Sequence, residues 1–535
     1  MAVIRVAGFA GENRALHPML LADPVGVLSR NQKPGRGDLR PWKRPATVAT
    51  VPAGRNTIYR MGRDVASDSN YWLSWTGVVH AVRGFDAEDT TERTYYTGDG
   101  APKVTDNTIA LASAPYPTAS RPLGVPAPIS APVAQVNAGR WSGTNETVFY
   151  VYTYVNDWGW ESAPSPVSLA VTKPTDAAVT LNGFSPPPAG NYNINRLRIY
   201  RTQTGSTAAE FFFLREIAIG TSTTQDDNRA LGEVLPTTTW LMPPADLSFL
   251  TALWNGMLAG ISGNAVRFCH PYTPYAWPIA YDVVPADGKP VALGVFGQSL
   301  LVLTTGRPVL VQGSGPDAMD QQPLEIPQGC VAPRSAVSMG SGVAWASEDG
   351  LCWYGAGGAR ILTAGIMTRE DWQAINPSSI VGKMYEGLYF GSYDDGSGRK
   401  GFFIDPSAPQ GIYFMDVGYT ALHFDELRDQ LYVLSSTNVQ KWDAGAPMTA
   451  RFKSKVFRAP RPVNFGCAEV VADTYPVTFK LYADGALKHT QAVTSRSPFR
   501  LPSGFMALDW QIEVETTGAI QGVSVANSMA ELAAT

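Results

Sequence analysis

The sequence has little charge, few cysteines and few histidines. Charged residues make up 16% of its 535 residues, against about 25% in an average soluble protein. Long amphipathic helices need a charged face, so this deficit argues against a helical protein. Glycine and proline are abundant instead, with 51 and 41 copies. Together with 11% aromatic residues, they favour many short strands joined by tight turns.

Cysteine and histidine are too scattered to indicate a metal site or a disulfide framework. Cys269, Cys330, Cys352 and Cys467 form no CxxC pair, which is the usual spacing of a zinc or redox site. The five histidines show no HxH or HxxxH spacing that would suggest a pair of ligands. We therefore expect no bound metal and no cofactor.

Long apolar runs are also missing. No stretch approaches the ~20 apolar residues of a membrane-spanning helix, and Met1–Gly11 is too short and polar for a signal peptide. The net charge of −4 does not indicate a free-standing nucleic-acid binder, which normally carries a basic excess. We expect a protein that works where it is made, or that leaves the cell inside a larger particle.

The clearest pattern is a repeated three-strand meander between residues 249 and 442. In the first copy, Asn255-Gly256 and Gly263-Asn264 separate three apolar runs, and Asn-Gly is a strong hairpin signal because a type I′ turn needs positive φ at both central residues. The copies begin near residues 250, 291, 335, 380 and 420. Their spacing of about 40 to 45 residues is typical of β-propeller blades.

A further copy is predicted upstream, with strands at Tyr71–Trp75, Val78–Arg83 and Thr94–Tyr96. The sequence thus predicts an all-β fold centred on a β-propeller of about six blades. Helix is expected to be scarce, and the best candidate is Arg369–Ile375, because Thr368 suits an N-cap and Asp371 stands three residues later.

Two β-sandwiches are predicted in addition to the propeller. Tyr150, Tyr152 and Tyr154 alternate with other residues as in a strand, within a segment whose strand spacing indicates an inserted immunoglobulin-like or fibronectin-III-like sandwich. A second sandwich, with Asp484-Gly485 as a hairpin turn, is predicted at the C-terminus. The predicted domains are an extended N-terminal arm (1–56), the propeller (57–126 and 241–446), the inserted sandwich (127–240) and the C-terminal sandwich (447–535).

No catalytic motif is recognisable in the sequence. Two pairs of neighbouring acids, Glu348-Asp349 and Glu370-Asp371, have the chemistry that glycosidases use. However, Asp349-Gly350 also suits a hairpin turn, and we interpret it as one. We expect no catalytic residue and a protein that is not an enzyme.

A basic run near the N-terminus is the one candidate site. The fifteen residues from Arg30 to Arg44 contain a single acid, Asp38, and prolines that prevent a helix. The run is predicted to be an extended arm that is a solvated loop, contacts a neighbouring subunit, or contacts nucleic acid. Its basic residues are Arg30, Lys33, Arg36, Arg40, Lys43 and Arg44.

The same arm carries a resemblance to a known group of proteins. Residues 11–45, with Leu39-Arg40-Pro41-Trp42, resemble the start of virion proteins of short-tailed bacteriophages, a group that includes the tail tubular or nozzle proteins. Residues 343–351, 368–378, 451–455 and 499–511 are similar to later parts of these proteins, whereas residues 127–240 are not. The resemblance implies a non-enzymatic structural protein that forms a ring, of six copies in that family. It also implies neighbouring tail or adaptor proteins, transient passage of double-stranded DNA, and a place in the virion tail after assembly in the host cytoplasm.

Two other functions fit the sequence. A propeller with sandwich domains also suits a receptor- or carbohydrate-binding tail protein, because Tyr and Trp stack on sugars as well as on other subunits. A propeller hydrolase is the other alternative, since acids from different blades meet only in the fold.

Overall fold

The structure, a computed structural model, describes residues 3–62, 66–86, 88–203 and 210–533. It is a mostly β protein with many small antiparallel sheets. The chain divides into two compact units. The first contains Met1–Thr76, Asp287–Leu310 and Gln322–Thr535, and the second contains Gly77–Ala286 and Val311–Gln321.

Helices are few and short. The described residues contain three α-helices, Asn107–Ala110 (α1), Arg369–Ala374 (α2) and Met529–Ala533 (α3), and four 3₁₀ turns, Ile279–Tyr281, Pro316–Ala318, Pro333–Ser335 and Pro377–Ser379. The predicted helix is confirmed as α2, because the Thr368 side chain accepts a hydrogen bond from the Asp371 backbone N–H at its start. No helix of the described residues is long and apolar enough to cross a membrane.

The described part of the first 76 residues contains seven strands, several of which pair with distant parts of the first unit. These strands are Val3–Val6 (β1), Gly26–Arg30 (β2), Gln32–Lys33 (β3), Arg40–Pro41 (β4), Ala46–Thr50 (β5), Thr57–Arg60 (β6) and Trp72–Trp75 (β7). β3 pairs with β4, and β6 pairs with β7. The other three strands complete sheets that later residues begin, so the segment predicted to be an extended arm lies along its own chain.

The second unit contains β8 to β22. Its strands are His80–Arg83 (β8), Thr94–Thr97 (β9), Lys103–Thr105 (β10), Arg121–Pro122 (β11), Val133–Val136 (β12), Asn145–Val148 (β13), Tyr150–Asn156 (β14), Val171–Pro174 (β15), Val179–Asn182 (β16), Ile194–Thr202 (β17), Phe211–Ala218 (β18), Thr223–Asp226 (β19), Ser248–Ala252 (β20), Leu258–Ser262 (β21) and Ala265–Phe268 (β22). β8 to β11 form one antiparallel sheet and β20 to β22 another. Between them, β12–β16–β19, β13–β15 and β14–β17–β18 form three small sheets.

The upstream copy of the meander differs from its prediction. β7 pairs with β6 in a two-stranded sheet, whereas β8 begins a separate sheet with β9, β10 and β11. The apolar run Tyr71–Trp75 was expected to be the first strand of the copy that contains Val78–Arg83. Its partner is instead Thr57–Arg60, an upstream segment without a tight turn to mark the pairing.

The repeated meanders continue from residue 290 to residue 441. Their strands are Pro290–Phe296 (β23), Ser299–Thr304 (β24), Val309–Gln312 (β25), Asp320–Pro323 (β26), Val337–Ser338 (β27), Gly342–Ala346 (β28), Leu351–Gly355 (β29), Gly358–Ile361 (β30), Val381–Tyr385 (β31), Leu388–Asp394 (β32), Arg399–Ile404 (β33), Tyr413–Met415 (β34), Ala421–Asp425 (β35), Gln430–Ser435 (β36) and Asn438–Lys441 (β37). β27 to β30 form a four-stranded sheet, and β31 to β34 are consecutive neighbours in another. β35 to β37 gain their fourth strand from β5, where Ala46 pairs with Lys441.

The C-terminal residues form two sheets around one hydrophobic core. The strands are Ala450–Ser454 (β38), Phe457–Val463 (β39), Cys467–Ala472 (β40), Val477–Ala483 (β41), Ala486–Val493 (β42), Phe499–Arg500 (β43), Ala507–Thr516 (β44) and Ile520–Ala526 (β45). β1, β45, β40 and β43 make one sheet, while β38, β44, β41 and β42 continue the sheet of β31 to β34 through β2. Phe452, Phe479, Trp510, Val470 and Val523 from both sheets share the core.

The hairpin turns follow the local chemistry of the sequence. The turn between β41 and β42 is confirmed at Asp484-Gly485, where both residues have positive φ, 47° and 77°. Glu386-Gly387 does the same between β31 and β32, with φ of 48° and 74°. Glycine adopts this left-handed region without a steric penalty, which is why these turns were visible in the sequence.

Candidate functional site

Arg30, the first basic residue of the arm, is bound within its own chain. Its guanidinium contacts the carboxylate of Glu12 and lies over the ring of Phe414, 5.0 Å from the ring centre. The buried Glu12 side chain also pairs with Arg14 at 2.5 Å and accepts a hydrogen bond from the Ser29 backbone N–H at 3.0 Å. This ion-pair cluster holds the start of the arm against β34.

Lys33 is also held by neighbours of the first unit. Its Nζ lies 2.8 Å from Asp443 Oδ2 and 2.9 Å from Glu386 Oε1, and 4.3 Å from the centre of the Trp42 ring. Partial burial opposes the charged form, but the hydrogen bonds to Asp443 and Glu386 outweigh it, so the pKa of Lys33 is raised above its ordinary value. Lys33 is therefore a charged anchor of the arm.

The remaining four basic residues divide into one paired and three exposed side chains. Arg40 pairs with Asp38 at 2.7 Å, and this hydrogen bond raises the pKa of Arg40. The side chains of Arg36, Lys43 and Arg44 are exposed and form no ion pair with any residue that the structure describes. Of the six predicted contact residues, these three remain available to a neighbour or to nucleic acid.

A cavity of about 840 Å³ opens on the first unit. It lies where the segments after β24 and β28 meet the connection between residues 327 and 333 and the start of α2. Val291, Val331 and two prolines line its apolar part. Its polar lining consists of Asp287, Thr305, Arg307, Gln328, Glu348, Asp349 and Arg369.

The structure places the two predicted acid pairs differently. Glu348 and Asp349 line the cavity, and Asp349 pairs with Arg369 at 2.9 Å and accepts a hydrogen bond from Gln328 Nε2 at 2.7 Å. Glu370 and Asp371 lie in the first turn of α2, where Asp371 accepts a hydrogen bond from the Thr368 hydroxyl at 2.8 Å. Asp371 thus stabilises the N-terminal cap of α2.

The cysteines are poor nucleophiles. All four are buried and unpaired, and burial raises the pKa of Cys269, Cys330 and Cys352 to about 12. The reactive form of cysteine is the thiolate, so these thiols stay protonated. Within the described ranges, no group of three or more His, Cys, Asp or Glu residues could hold a metal ion.

Two features of the structure were not predicted from the sequence. The arginines of the cavity, Arg307 and Arg369, were not identified as site residues, although Arg369 begins the predicted helix, and only the fold brings them to one opening. The segment 162–168, which covers the edge of β14, did leave a signal, because serine recurs every third residue and Ser165 stands between two prolines. That period is typical of polyproline II backbone.

Comparisons with known proteins identify no family. No protein-family model matches the chain, and no curated protein matches it. Solved structures similar to the chain include BBS1N in complex with ARL6DN, at 10% identity over 50% of this chain and 86% of that chain, with a TM-score of 0.27. They also include apo AztD from Citrobacter koseri, at 12% identity over 69% and 99% with a TM-score of 0.26. PorZ of Porphyromonas gingivalis is similar at 10% identity over 86% and 77%, with a TM-score of 0.23. TM-scores of this size carry no argument about fold or function.

Proposed function

We propose that this protein is a non-enzymatic structural protein of a short-tailed bacteriophage virion, and that it forms a ring-shaped tail nozzle through which double-stranded DNA passes. The proposal starts from the resemblance of residues 11–45 to tail tubular or nozzle proteins. In this proposal the ring has six copies, and its neighbours are other tail or adaptor proteins.

The observation that carries the proposal is the position of the residues that bear the resemblance. Leu39, Trp42, Trp372 and Trp510 are fully buried, and Phe452 is 1% exposed. Their segments also pair with one another, since β2 lies between β34 and β38 and joins two sheets into one. The similarity therefore falls on positions that hold the first unit together, as expected where two proteins share a scaffold.

We infer that the repeated meanders are blades of a β-propeller. Their third and later copies have four strands each, and the last copy takes its fourth strand, β5, from the N-terminal region. When a strand from one end of the chain completes the last sheet, it can close a circle of blades. It also covers the edge of that sheet, which would otherwise be exposed. The inserted strands β12 to β19 and the C-terminal strands then correspond to two β-sandwiches.

The charge distribution suits a conduit. The net charge is −4, and Arg30, Lys33 and Arg40 are neutralised by acids of their own chain. DNA carries one negative charge per ~1.7 Å of axis, so a wall rich in free lysine and arginine would retain it. We expect acidic residues to predominate on the DNA-facing surface.

The particle mass tests the proposal. Native mass spectrometry of the purified protein, alone and with its tail partners, should give six times the 57.5 kDa of one chain, and negative-stain images should show rings with a central opening. A protein that stays monomeric at high concentration with its tail partners present would contradict the proposal. A trimer would favour a receptor-binding tail protein instead.

A further inference from the structure

The cavity of the first unit contains two arginines whose terminal nitrogens are unused. Arg307 Nε lies 3.6 Å from Asp287 Oδ2, and Arg369 Nε lies 2.9 Å from Asp349 Oδ1. Their side chains are 52% and 65% exposed, and within the described residues the Nη groups of both form no hydrogen bond. Each guanidinium is therefore oriented through Nε and presents its other donors to the opening.

Hydrogen-bond acceptors stand beside these donors. Glu348 lines the same cavity and receives only a 3.1 Å hydrogen bond from Gln373 at one carboxylate oxygen. Gln328 donates its amide to Asp349, which leaves its carbonyl oxygen to accept. Gly306 and Gly329 form part of the wall, and each packs closely against neighbouring backbone, at Asp287 and Thr305.

The balance of charges narrows the class of ligand. Three acids, Asp287, Glu348 and Asp349, and two arginines line the cavity, which gives a net charge of −1. This excess disfavours polyanions such as nucleic acid, because the carboxylates would repel neighbouring phosphates. A purely apolar ligand would leave the charged groups without partners, at a cost in free energy.

A ligand with one carboxylate and several hydroxyl groups satisfies both sets of groups. A guanidinium binds a carboxylate through two parallel hydrogen bonds, while hydroxyl groups donate to carboxylate and amide oxygens. The volume of about 840 Å³ lies in the range of small-ligand sites. No aromatic residue is among the lining residues, so the arginines rather than a stacking platform must supply most of the affinity.

We propose that this cavity binds a carboxylated saccharide, with the carboxylate of a uronic acid unit on Arg307 and Arg369 and the sugar hydroxyls on Glu348 and Gln328. The proposal does not depend on ring formation, because all of these residues belong to one chain. It also adds no catalytic step, since binding alone requires neither a nucleophile nor an acid–base pair.

The test compares a sugar that carries one carboxylate with its neutral ester. Calorimetric titration of the full chain with galacturonate should show binding, whereas its methyl ester should bind about tenfold more weakly, because the ester cannot form charge-assisted hydrogen bonds. Arg369→Gln and Arg307→Gln should each weaken galacturonate binding about tenfold. Arg369→Lys, which keeps the charge but loses the planar fork, should also weaken it.

Arg496→Gln is the matched control. Arg496 is 72% exposed and pairs with Glu469 at 3.3 Å, outside the cavity, and its substitution should leave binding unchanged. Circular dichroism should show that each variant is folded. Arg369→Lys keeps the positive charge, so it changes the electrostatics of the cavity least.

Four results would overturn the proposal. The first is equal binding of the methyl ester, and the second is no binding of galacturonate by the folded natural protein. The third is an equal loss in Arg496→Gln and Arg369→Gln. The fourth is competition by inorganic phosphate or a short DNA duplex at the same concentrations as galacturonate, which would indicate a general anion site.

Discussion

Trp42 lies at the centre of an aromatic cluster in the first unit. Its ring stacks on Phe403 at 4.7 Å between centres and lies 5.7 Å from Trp442 and 6.0 Å from Tyr385. The side chain is 0% exposed. Since Trp42 belongs to the N-terminal segment and its neighbours follow residue 384, its packing adds to the ion pairs and strand pairing that hold the segment against the meanders.

Replacing Trp42 by alanine should destabilise the first unit strongly. Loss of a fully buried tryptophan leaves a cavity and removes contacts, at a cost of about 4 kcal/mol. Trp141 is 37% exposed, and Trp141→Ala is the control, which should cost less than about 1 kcal/mol. Urea unfolding followed by circular dichroism measures both. Equal losses in the two variants would show that Trp42 does not anchor the segment.

His423 is a partly buried titratable group in the same unit. Its Nε2 accepts a hydrogen bond from the Arg60 backbone N–H at 3.4 Å, and its ring packs edge-on against Trp72. Burial, with the nearby charges of Lys383 and Arg60, lowers the pKa of His423 from 6.5 to about 3, although Asp425 opposes the shift. The folded protein therefore holds a neutral imidazole over most of the acidic range.

This shift predicts a pH-dependent loss of stability. Between pH 6.5 and about 3, the unfolded chain binds a proton at His423 that the folded chain does not. Stability contributed by neutral His423 is therefore present above pH 6.5 and falls as the pH decreases. His423→Gln keeps an acceptor but does not titrate. As the pH decreases, the free energy of unfolding of the variant should therefore fall less steeply than that of the natural protein, and the two slopes should differ by about 1 kcal/mol per pH unit.

The measurement is urea unfolding at several pH values across that window. Carboxylates titrate in the same range, so the difference between natural protein and variant is the relevant quantity. His17→Gln, at an exposed position, should follow the natural protein at every pH. Parallel curves for His423→Gln and the natural protein would contradict a His423 that stays neutral in the folded protein.

At the scale of elements, the edge of β14 shows how the second unit protects a strand. The backbone N–H of every third residue in segment 162–168 donates to a tyrosine carbonyl of β14, and the serine hydroxyl accepts from the N–H of the same tyrosine. The pairs are Ser162 with Tyr154, Ser165 with Tyr152, and Ser168 with Tyr150, at 2.8 to 3.1 Å. The segment thus occupies the groups through which an exposed edge would pair with another chain.

Substitution of Ser165, the middle serine, tests whether this segment stabilises the edge of β14. Ser165→Ala removes the acceptor of the buried Tyr152 N–H and should lower the free energy of unfolding by about 1 to 2 kcal/mol. Ser222, exposed in the same unit, supplies the control Ser222→Ala, which should change it by less than about 0.5 kcal/mol. The triple alanine variant at Ser162, Ser165 and Ser168 should also self-associate, measured by light scattering. A triple variant as stable and monodisperse as the control would refute the role of the serines.

Strands joined by short turns could be predicted from the sequence, because the signals are local. The pairs around Glu386-Gly387 and Asp484-Gly485 have both apolar strands and turn residues within a few positions. The fourth strands were missed for physical reasons. β30 has only four residues, and β5 pairs with β37, so that Ala46 meets Lys441. Nothing local indicates such a distant partner.

In the candidate sites as well, local patterns could be predicted from the sequence, whereas distant partners could not. The basic arm was visible because its residues are consecutive, but its partners Glu12, Asp443 and Glu386 come from separate segments, so the sequence alone did not indicate which charges are neutralised. In the cavity, Glu348 and Asp349 stood out as neighbouring acids. An isolated arginine such as Arg307 has no pattern, and only the fold reveals its place.

For the whole molecule, the three exposed residues of the arm decide between its two predicted partners. Arg36, Lys43 and Arg44 are free to contact a neighbouring copy, whereas the net charge of −4 and the neutralised residues beside them disfavour retention of DNA. Joint substitution of the three by glutamine should weaken ring assembly, with about tenfold more protein needed for half-assembly. A mobility-shift assay at about 150 mM salt, where exposed charges are largely screened beyond ~8 Å, should show no retention of a DNA duplex before or after the change.

The control removes the same charge elsewhere, by joint substitution of the exposed Arg140, Arg461 and Arg500 by glutamine, and it should leave assembly intact. If both triple variants assemble equally poorly, the effect is one of total charge, and if the natural protein retains DNA and only the arm variant loses it, the arm contacts nucleic acid rather than a subunit.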